Sequence, residues 1–399
     1  MIAGDYDLGG LLARIEFAIN KVSAQRLVID SLDGLFAELP ADAAKLRSEL
    51  QRVATALAAM GVTTVMTAER RPASGVSPPA AAARPIADNL VVLRNAWRDE
   101  KRRRTVEVAK FRGAPHQKGA FPFAIVPSEG IVVIPLSAIE LKQRASEERV
   151  SSGNPALDKM CGGGLYRDSL VVVSGATGTG KTLMAVEFLV GGAGSGDRCL
   201  AFAFEESRAQ LQRSAKGWGV DFERMEHDRR LAVVCAYPET AGLEDHFLMM
   251  RDIIDRYEPQ RVVVDSLSAL ERIASGEAFR EFVVALIALL RDRGATGLLT
   301  TGNPALLGGW ATLSPHLAAA ADVVALLRHV ELAGEVRRAI AVLKRRGSWH
   351  ETEVREYTIG GNGMRIGRLF RQAIESAAGQ PADRPPEEAR LDQVFPSEG

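Results

Sequence analysis

The chain has 399 residues, 46% hydrophobic and 25% charged, a balance that excludes a disordered or fibrous protein and provides for two to three domains with sizeable cores. Lysine plus arginine and aspartate plus glutamate each total 50, so no net field draws the chain to nucleic acid or to a membrane surface. The three cysteines, Cys161, Cys199 and Cys235, have neither framework nor metal spacing, which predicts free thiols in a reducing compartment.

In chain order, the N-terminal segment carries Asp5 and Asp7 with no basic or apolar region, unlike a signal peptide. No apolar run reaches the ~18 residues of a membrane span, so the cytoplasm is the expected location. Arg26-Leu-Val-Ile-Asp30 is an apolar strand pattern ending in a carboxylate, and residues Arg47 to Met60 have the spacing of a crossover helix. Both elements reappear roughly 235 residues later, as Arg261-Val-Val-Val-Asp265 and as a helical pattern from Phe279 to Arg293. Ala87-Asp88 likewise answers to Ala321-Asp322, and Lys110-Phe-Arg-Gly113 with His116 to Lys344-Arg-Arg-Gly347 with His350. The spacings agree: Asp88 to Lys110 and Asp322 to Lys344 are both 22 residues. Two tandem copies of one α/β fold are expected, each a mostly parallel twisted sheet with helices on both faces.

The copies differ in what precedes the aspartate. Residues 170–182 read as a buried strand, Leu170 to Val173, entering the loop Gly175-Ala176-Thr177-Gly178-Thr179-Gly180-Lys181-Thr182. A helix from Thr182 to Val190 follows, through Leu183 and closed by Gly191 and Gly192. Such a loop wraps backbone N–H groups around a phosphate at the positive end of a helix. Lys181 is predicted to reach the β- and γ-phosphates of ATP, and the Thr182 hydroxyl to take a Mg²⁺ position. Lys181 precedes Asp265 by 84 residues, whereas Asp30 has only 29 residues before it, so the first copy holds no loop of its own. Two explanations are open. The favoured one is a chain truncated at its start, because half a parallel sheet leaves hydrogen-bonding edges and apolar faces uncovered; the other is a genuine partial domain propped by its neighbours.

Residues 1–139 are therefore read as the later part of a first domain, 140–152 as a charged linker and 153–372 as a complete second domain. Residues 373–399 read as a mobile proline-rich, acidic tail. Around the loop, Asp265 ends its strand as a candidate for the metal shell. Glu205 and Glu206 sit together at the end of another strand, where only one can face the γ-phosphate; Glu205 is taken as catalytic base and Glu206 as its support, against the alternative of an acidic pair at a helix start. Trp218, between Gly217 and Gly219, is either an adenine-stacking ring or a core aromatic. Arg337, Arg338, Lys344, Arg345, Arg346 and His350 form a basic cluster. It is either solvated surface or charge supplied in trans to a phosphoryl group.

These motifs, with Phe204-Glu-Glu-Ser207, Met160-Cys-Gly-Gly-Gly164 and Cys235-Ala-Tyr-Pro238, closely resemble the second ATPase domain of the KaiC family. These are circadian-clock proteins of the RecA/RadA-like P-loop superfamily, and the resemblance covers about residues 5 to 370. It implies a homohexamer with ATP held between subunits and signalling or clock proteins as partners. Thr177 to Leu183, Glu205 and Trp218 would serve ATP and Mg²⁺ from one subunit, and Arg338, Lys344, Arg345, Arg346, Ser348 and His350 from the next. The family has a lysine where this chain has Thr352, and a Ser-Thr phosphoacceptor pair where it has Ala318 and Ala319. Hydrolysis without self-phosphorylation is the expectation, with Thr312 and Ser314 as the nearest substitute hydroxyls. An autokinase, a RecA-like recombinase and a non-hydrolysing nucleotide-gated scaffold are the rivals.

Overall fold

The structure, a computed structural model, describes residues 8–37, 43–71, 75–98, 101–127, 129–134, 146–302, 315–332 and 334–370. The chain divides into two compact units, one of residues 1–93 and 106–120 and the other of residues 94–105 and 121–399.

In the first unit, strand Arg26–Ile29 lies parallel to strand Thr63–Met66, with Arg26 opposite Thr63. The crossover between them contains the helix Ala43–Ala59, close to its predicted span. Leu46, Leu50, Val53 and Leu57 recur at three- and four-residue steps, and that stripe is buried with Leu8, Leu32, Phe36 and Ala82. The alternate residues of the two strands, Val28 and Val65, are 65% and 57% exposed.

The second unit is built on a nine-stranded sheet. Its order is Leu231–Cys235, Cys199–Ala203, Arg261–Asp265, Thr296–Gly302, Leu170–Gly175, Val323–Leu332, Glu335–Arg345, Arg355–Gly360 and Gly363–Leu369. Neighbours from Leu231–Cys235 through Val323–Leu332 pair in parallel, and the remaining strands pair antiparallel. Leu170–Gly175 is buried at every position, as a β-branched run sandwiched between two helical layers must be. One core lies against the helices Leu243–Tyr257 and Gly276–Asp292, and the other against the helix Lys181–Gly194. This is the RecA-like α/β arrangement expected. Among the described residues no helix is long and apolar enough to cross a membrane.

The helix after the phosphate loop runs through Gly191 and Gly192 to Gly194, beyond the predicted stop. The two glycines are there for close approach. A Cβ on Gly191 would lie 2.7 Å from the Cα of Gly153, and one on Gly192 2.3 Å from Cδ of Arg261. Gly192→Ala is accordingly expected to cost about 1–3 kcal/mol through overpacking, measured as a lower denaturant midpoint at unchanged slope.

The two sequence copies share hydrogen bonds as well as residues. Thr67 donates to Asp30 as Thr300 donates to Asp265. Lys110 Nζ binds the carbonyls of Arg84 and Pro85, and Lys344 Nζ those of Ala318 and Ala319. The N–H of Arg112 bonds to the Asp88 carbonyl, as that of Arg346 does to Asp322.

Candidate active site

The phosphate loop leaves the carboxyl end of strand Leu170–Gly175 and enters its helix at Lys181, so the helix N-terminus and the loop N–H groups converge on one point. Gly178 and Gly180 have φ of 80° and 93°, backbone that any side chain would strain. Gly175 is fixed by space: a Cβ there would lie 2.7 Å from Thr179 Oγ1 and 2.8 Å from the Leu327 carbonyl. Thr179 is fully buried, and its hydroxyl donates to the Ala176 carbonyl at 2.7 Å.

The chemistry-bearing side chains gather around this loop. Lys181 Nζ donates to the carbonyls of Gly175 and Ala176, both at 2.9 Å. Its burial pulls the ammonium below the usual lysine range, while the charges of Asp265 and Glu205 push the other way. Thr182 Oγ1 donates to Asp265 Oδ2 at 2.7 Å, and Thr300 holds the other carboxylate oxygen. Burial raises the Asp265 carboxyl, an effect its two threonine bonds oppose.

The two glutamates differ. Glu205 has a side chain 45% exposed and meets Arg272 Nη1 at 3.2 Å. Glu206 is turned inward: its Oε2 is buried with no hydrogen-bond partner, and burial, then the charges of Asp265 and Glu205, raise its carboxyl. Ser207 then starts the next helix with a capping box closed by Gln210. Trp218 is the C-cap of that helix and packs, half-buried, against the core on the phosphate-loop side of the sheet.

The basic cluster is divided by strand register. Arg338 lies opposite His329, and Leu327 opposite Gly175, so Arg338 is at the phosphate-loop end of the sheet. Arg345 lies opposite Val323, which lies beside Val171, so the run from Lys344 onward is at the other end. Four residues of strand, roughly 13 Å, separate Val171 from Gly175, and Lys344, Arg345, Arg346, Ser348 and His350 do not meet the loop of their own chain. Arg345 is 8% exposed, and its side-chain nitrogens have no hydrogen-bond partner. Lys344 and Arg346 instead bind carbonyls at the end of helix Pro315–Ala320, including those of Ala318 and Ala319. Thr312 and Ser314 lie outside the described residues.

Three contacts escaped the sequence reading. Tyr357 donates to the Thr179 carbonyl at 2.5 Å, His329 Nε2 lies 3.3 Å from the Thr177 carbonyl, and Arg272 pairs with Glu205. None belongs to a motif, since strand pairing across more than 150 residues brings the first two to the loop.

The donor set suits magnesium. The Thr182 hydroxyl and the Asp265 carboxylate are hard oxygen donors beside the loop, and Glu206 adds an unpartnered carboxylate oxygen near Asp265. Among the described residues there is no three-membered His, Cys, Asp and Glu cluster for a closed metal cage. That fits a cation held by one or two protein oxygens together with phosphates.

The comparison with known proteins agrees with this geometry. The family model described as "ATPase: KaiC" matches residues 3–138 and 150–369. The chain is 52% identical over 381 residues to the circadian clock protein KaiC3 of Synechocystis sp., covering 96% of this chain and 75% of that protein. It is 45% identical over 380 residues to the circadian clock oscillator protein KaiC of Thermosynechococcus vestitus, covering 95% and 73%.

Proposed function

The chain belongs to the KaiC family of ATPases, and on that premise we propose that it hydrolyses ATP between adjacent copies of itself in a homohexamer, as part of a signalling or timing device. It is a P-loop enzyme that binds ATP. The observation that carries the interface reading is the separation of the phosphate loop from Lys344, Arg345, Arg346, Ser348 and His350. One copy offers the loop and a neighbouring copy offers the basic run.

In this reading Lys181 and the loop N–H groups hold the phosphates, with Gly175 to Leu183 lining the nucleotide and Trp218 near the base. Thr182 and Asp265, with Glu205 or Glu206 close by, would hold Mg²⁺, which supplies charge neutralisation on the β- and γ-phosphates. Glu205 orients water for in-line attack: it is open to solvent, and Lys181 feels its charge. Glu206 stands behind it. Arg338 and the neighbour's basic run stabilise the charge that spreads over the equatorial oxygens.

The repeated hydrogen bonds support residues 1–139 as the later part of one ATPase domain and 153–372 as a complete second one, joined by 140–152. The tail assigned to 373–399 lies outside the described residues. The relatives are named as circadian clock proteins, and on that footing clock-type signalling proteins are the proposed partners and the cytoplasm the proposed setting. Self-phosphorylation is the second reading, and Ala318 and Ala319 oppose it by having no hydroxyl. A recombinase would want a basic surface that the neutral balance does not suggest.

The test follows both fates of the γ-phosphate. With γ-labelled ATP and Mg²⁺, the full chain is expected to release labelled phosphate and retain no label, and Lys181→Ala to release none. Label retained on the protein would establish the autokinase instead, and release that ignores Lys181→Ala would remove the site.

A further inference from the structure

We infer that Arg149 and Tyr166 are positioning residues that hold the basic run in shape for the neighbouring copy's phosphates. The inference rests on the interface reading above. A charged group on a loop stabilises a transition state only if the loop is held within about 0.5 Å of its productive place. The run after Lys344 leaves the sheet at Arg345, so something outside the sheet must hold it.

That support is the segment from Arg149 to Tyr166. Arg149 Nη2 donates to Ser348 Oγ at 2.9 Å and to the Tyr166 hydroxyl at 3.2 Å, while its Nη1 donates to the Gly164 carbonyl at 3.1 Å. The Tyr166 hydroxyl in turn donates a hydrogen bond to the Gly347 carbonyl at 3.0 Å. The guanidinium of Arg149 lies 4.2 Å from the centre of the Tyr166 ring, and that of Arg345 lies 5.4 Å from the same ring. Arg345 is thus held against an aromatic face, with its guanidinium nitrogens buried and without a hydrogen-bond partner. Further along, Gly162 lies so close to the Trp349 carbonyl that a Cβ would stand 2.6 Å away, and the Glu351 N–H donates to the Met160 carbonyl at 2.8 Å.

Chemistry favours a phosphate-facing role for this clamp over plain packing. Because Ser348 Oγ accepts from Arg149, the serine's own proton is left to donate, which is the polarity a phosphate oxygen requires. Arginine suits the position because its planar fork stacks and donates in several directions at once, which a lysine cannot do.

The experiment is a mixing assay with the full chain. Arg149→Ala is expected to lower kcat/KM for ATP by about 10- to 100-fold, the scale of a misplacement near 1 Å, with Arg149→Lys recovering part of the loss. Lys181→Ala chains lack a working loop but keep an intact basic run. Co-assembled with Arg149→Ala chains, they are expected to give more phosphate release than the two variants assayed apart. A parallel mixture of Lys181→Ala with Arg346→Ala tests the interface itself. If that mixture gains activity and the Arg149→Ala mixture does not, the positioning role is wrong and the interface stands. If neither gains, the interface reading falls and takes this inference with it. Wild-type kcat and KM in Arg149→Ala would also overturn it. Should Arg149→Ala fail to fold, Tyr166→Phe takes its place in the same mixture, since it keeps the ring and removes the hydroxyl's bonds to Gly347 and Arg149.

Discussion

Glu205→Gln is expected to lower ATP turnover by about 10²- to 10⁴-fold, the range for removing a positioned general base, while leaving the chain folded and able to bind ATP. Glu205 lies two residues beyond the strand Cys199–Ala203, which pairs with the strand of Asp265, and its carboxylate is open to solvent where Lys181 feels its charge. The ion pair with Arg272 is exposed on both sides and contributes orientation more than energy. Glu206→Gln should behave differently. It is expected to reduce turnover by a smaller factor and to stabilise the fold by about 1 kcal/mol, since a buried carboxylate oxygen without a partner is replaced by a neutral group.

The sign of the pH dependence follows from burial. The Glu206 carboxyl is raised above its ordinary 4.5, so the folded state holds this proton more tightly than the unfolded chain does. Its contribution to stability is therefore present below that ordinary value and is lost as pH rises through the raised folded value. The advantage of Glu206→Gln should appear over the same interval and vanish in acid. Paired measurements of steady-state phosphate release and thermal midpoint on the two variants check the assignment. A larger loss in Glu206→Gln would exchange the roles of the two residues, and equal losses would remove the distinction between them.

Asp197→Ala is expected to destabilise the second unit by about 3–5 kcal/mol, because it strands a buried guanidinium. Arg261 is 1% exposed, and its Nε donates to Asp197 Oδ2 at 2.8 Å. Nη1 donates to the carbonyls of Ser151 at 2.6 Å and Phe188 at 3.1 Å, and the guanidinium lies 4.9 Å from the Phe188 ring centre. One cation thus ties together the strand that ends at Asp265, the helix that begins at Lys181 and the segment before Gly153. Replacing both members, Arg261→Met with Asp197→Leu, should cost much less than Asp197→Ala alone, since no charge is then left buried. Denaturant midpoints of the single and double variants measure the difference. An Asp197→Ala loss below about 1 kcal/mol would mean that solvent reaches the guanidinium, at variance with the burial.

Much of this protein was legible in its sequence because its strongest signals are local. A phosphate loop needs glycines at fixed steps and a lysine at the helix start, so Gly175 to Thr182 can be read in one pass, as can the apolar run that buries Leu170 to Val173 on both faces. The carboxylate at Asp265 was readable for the same reason, and the paired motifs around Asp30 and Asp265 exposed the internal repeat. Local spacing was less informative at Gly191 and Gly192, which resemble a helix stop but make room within the helix for Gly153 and Arg261.

What only the tertiary structure decided were relations across the sheet. Arg338 and Lys344 are close neighbours in the chain, yet an extended strand carries them toward opposite ends of the sheet. The residues beside them, His329 and Val324, are set by antiparallel register. Glu205 and Glu206 are adjacent and chemically identical, and the bend between strand Cys199–Ala203 and helix Arg208–Gly217 sends one to solvent and leaves an oxygen of the other buried. Arg26 and Arg261 open equivalent strands, but the first is exposed and the second is sealed beneath a helix. Sequence therefore determined which chemistry the chain carries. Long-range packing decided which groups share a site, because strand register, burial and desolvation depend on partners more than a hundred residues away.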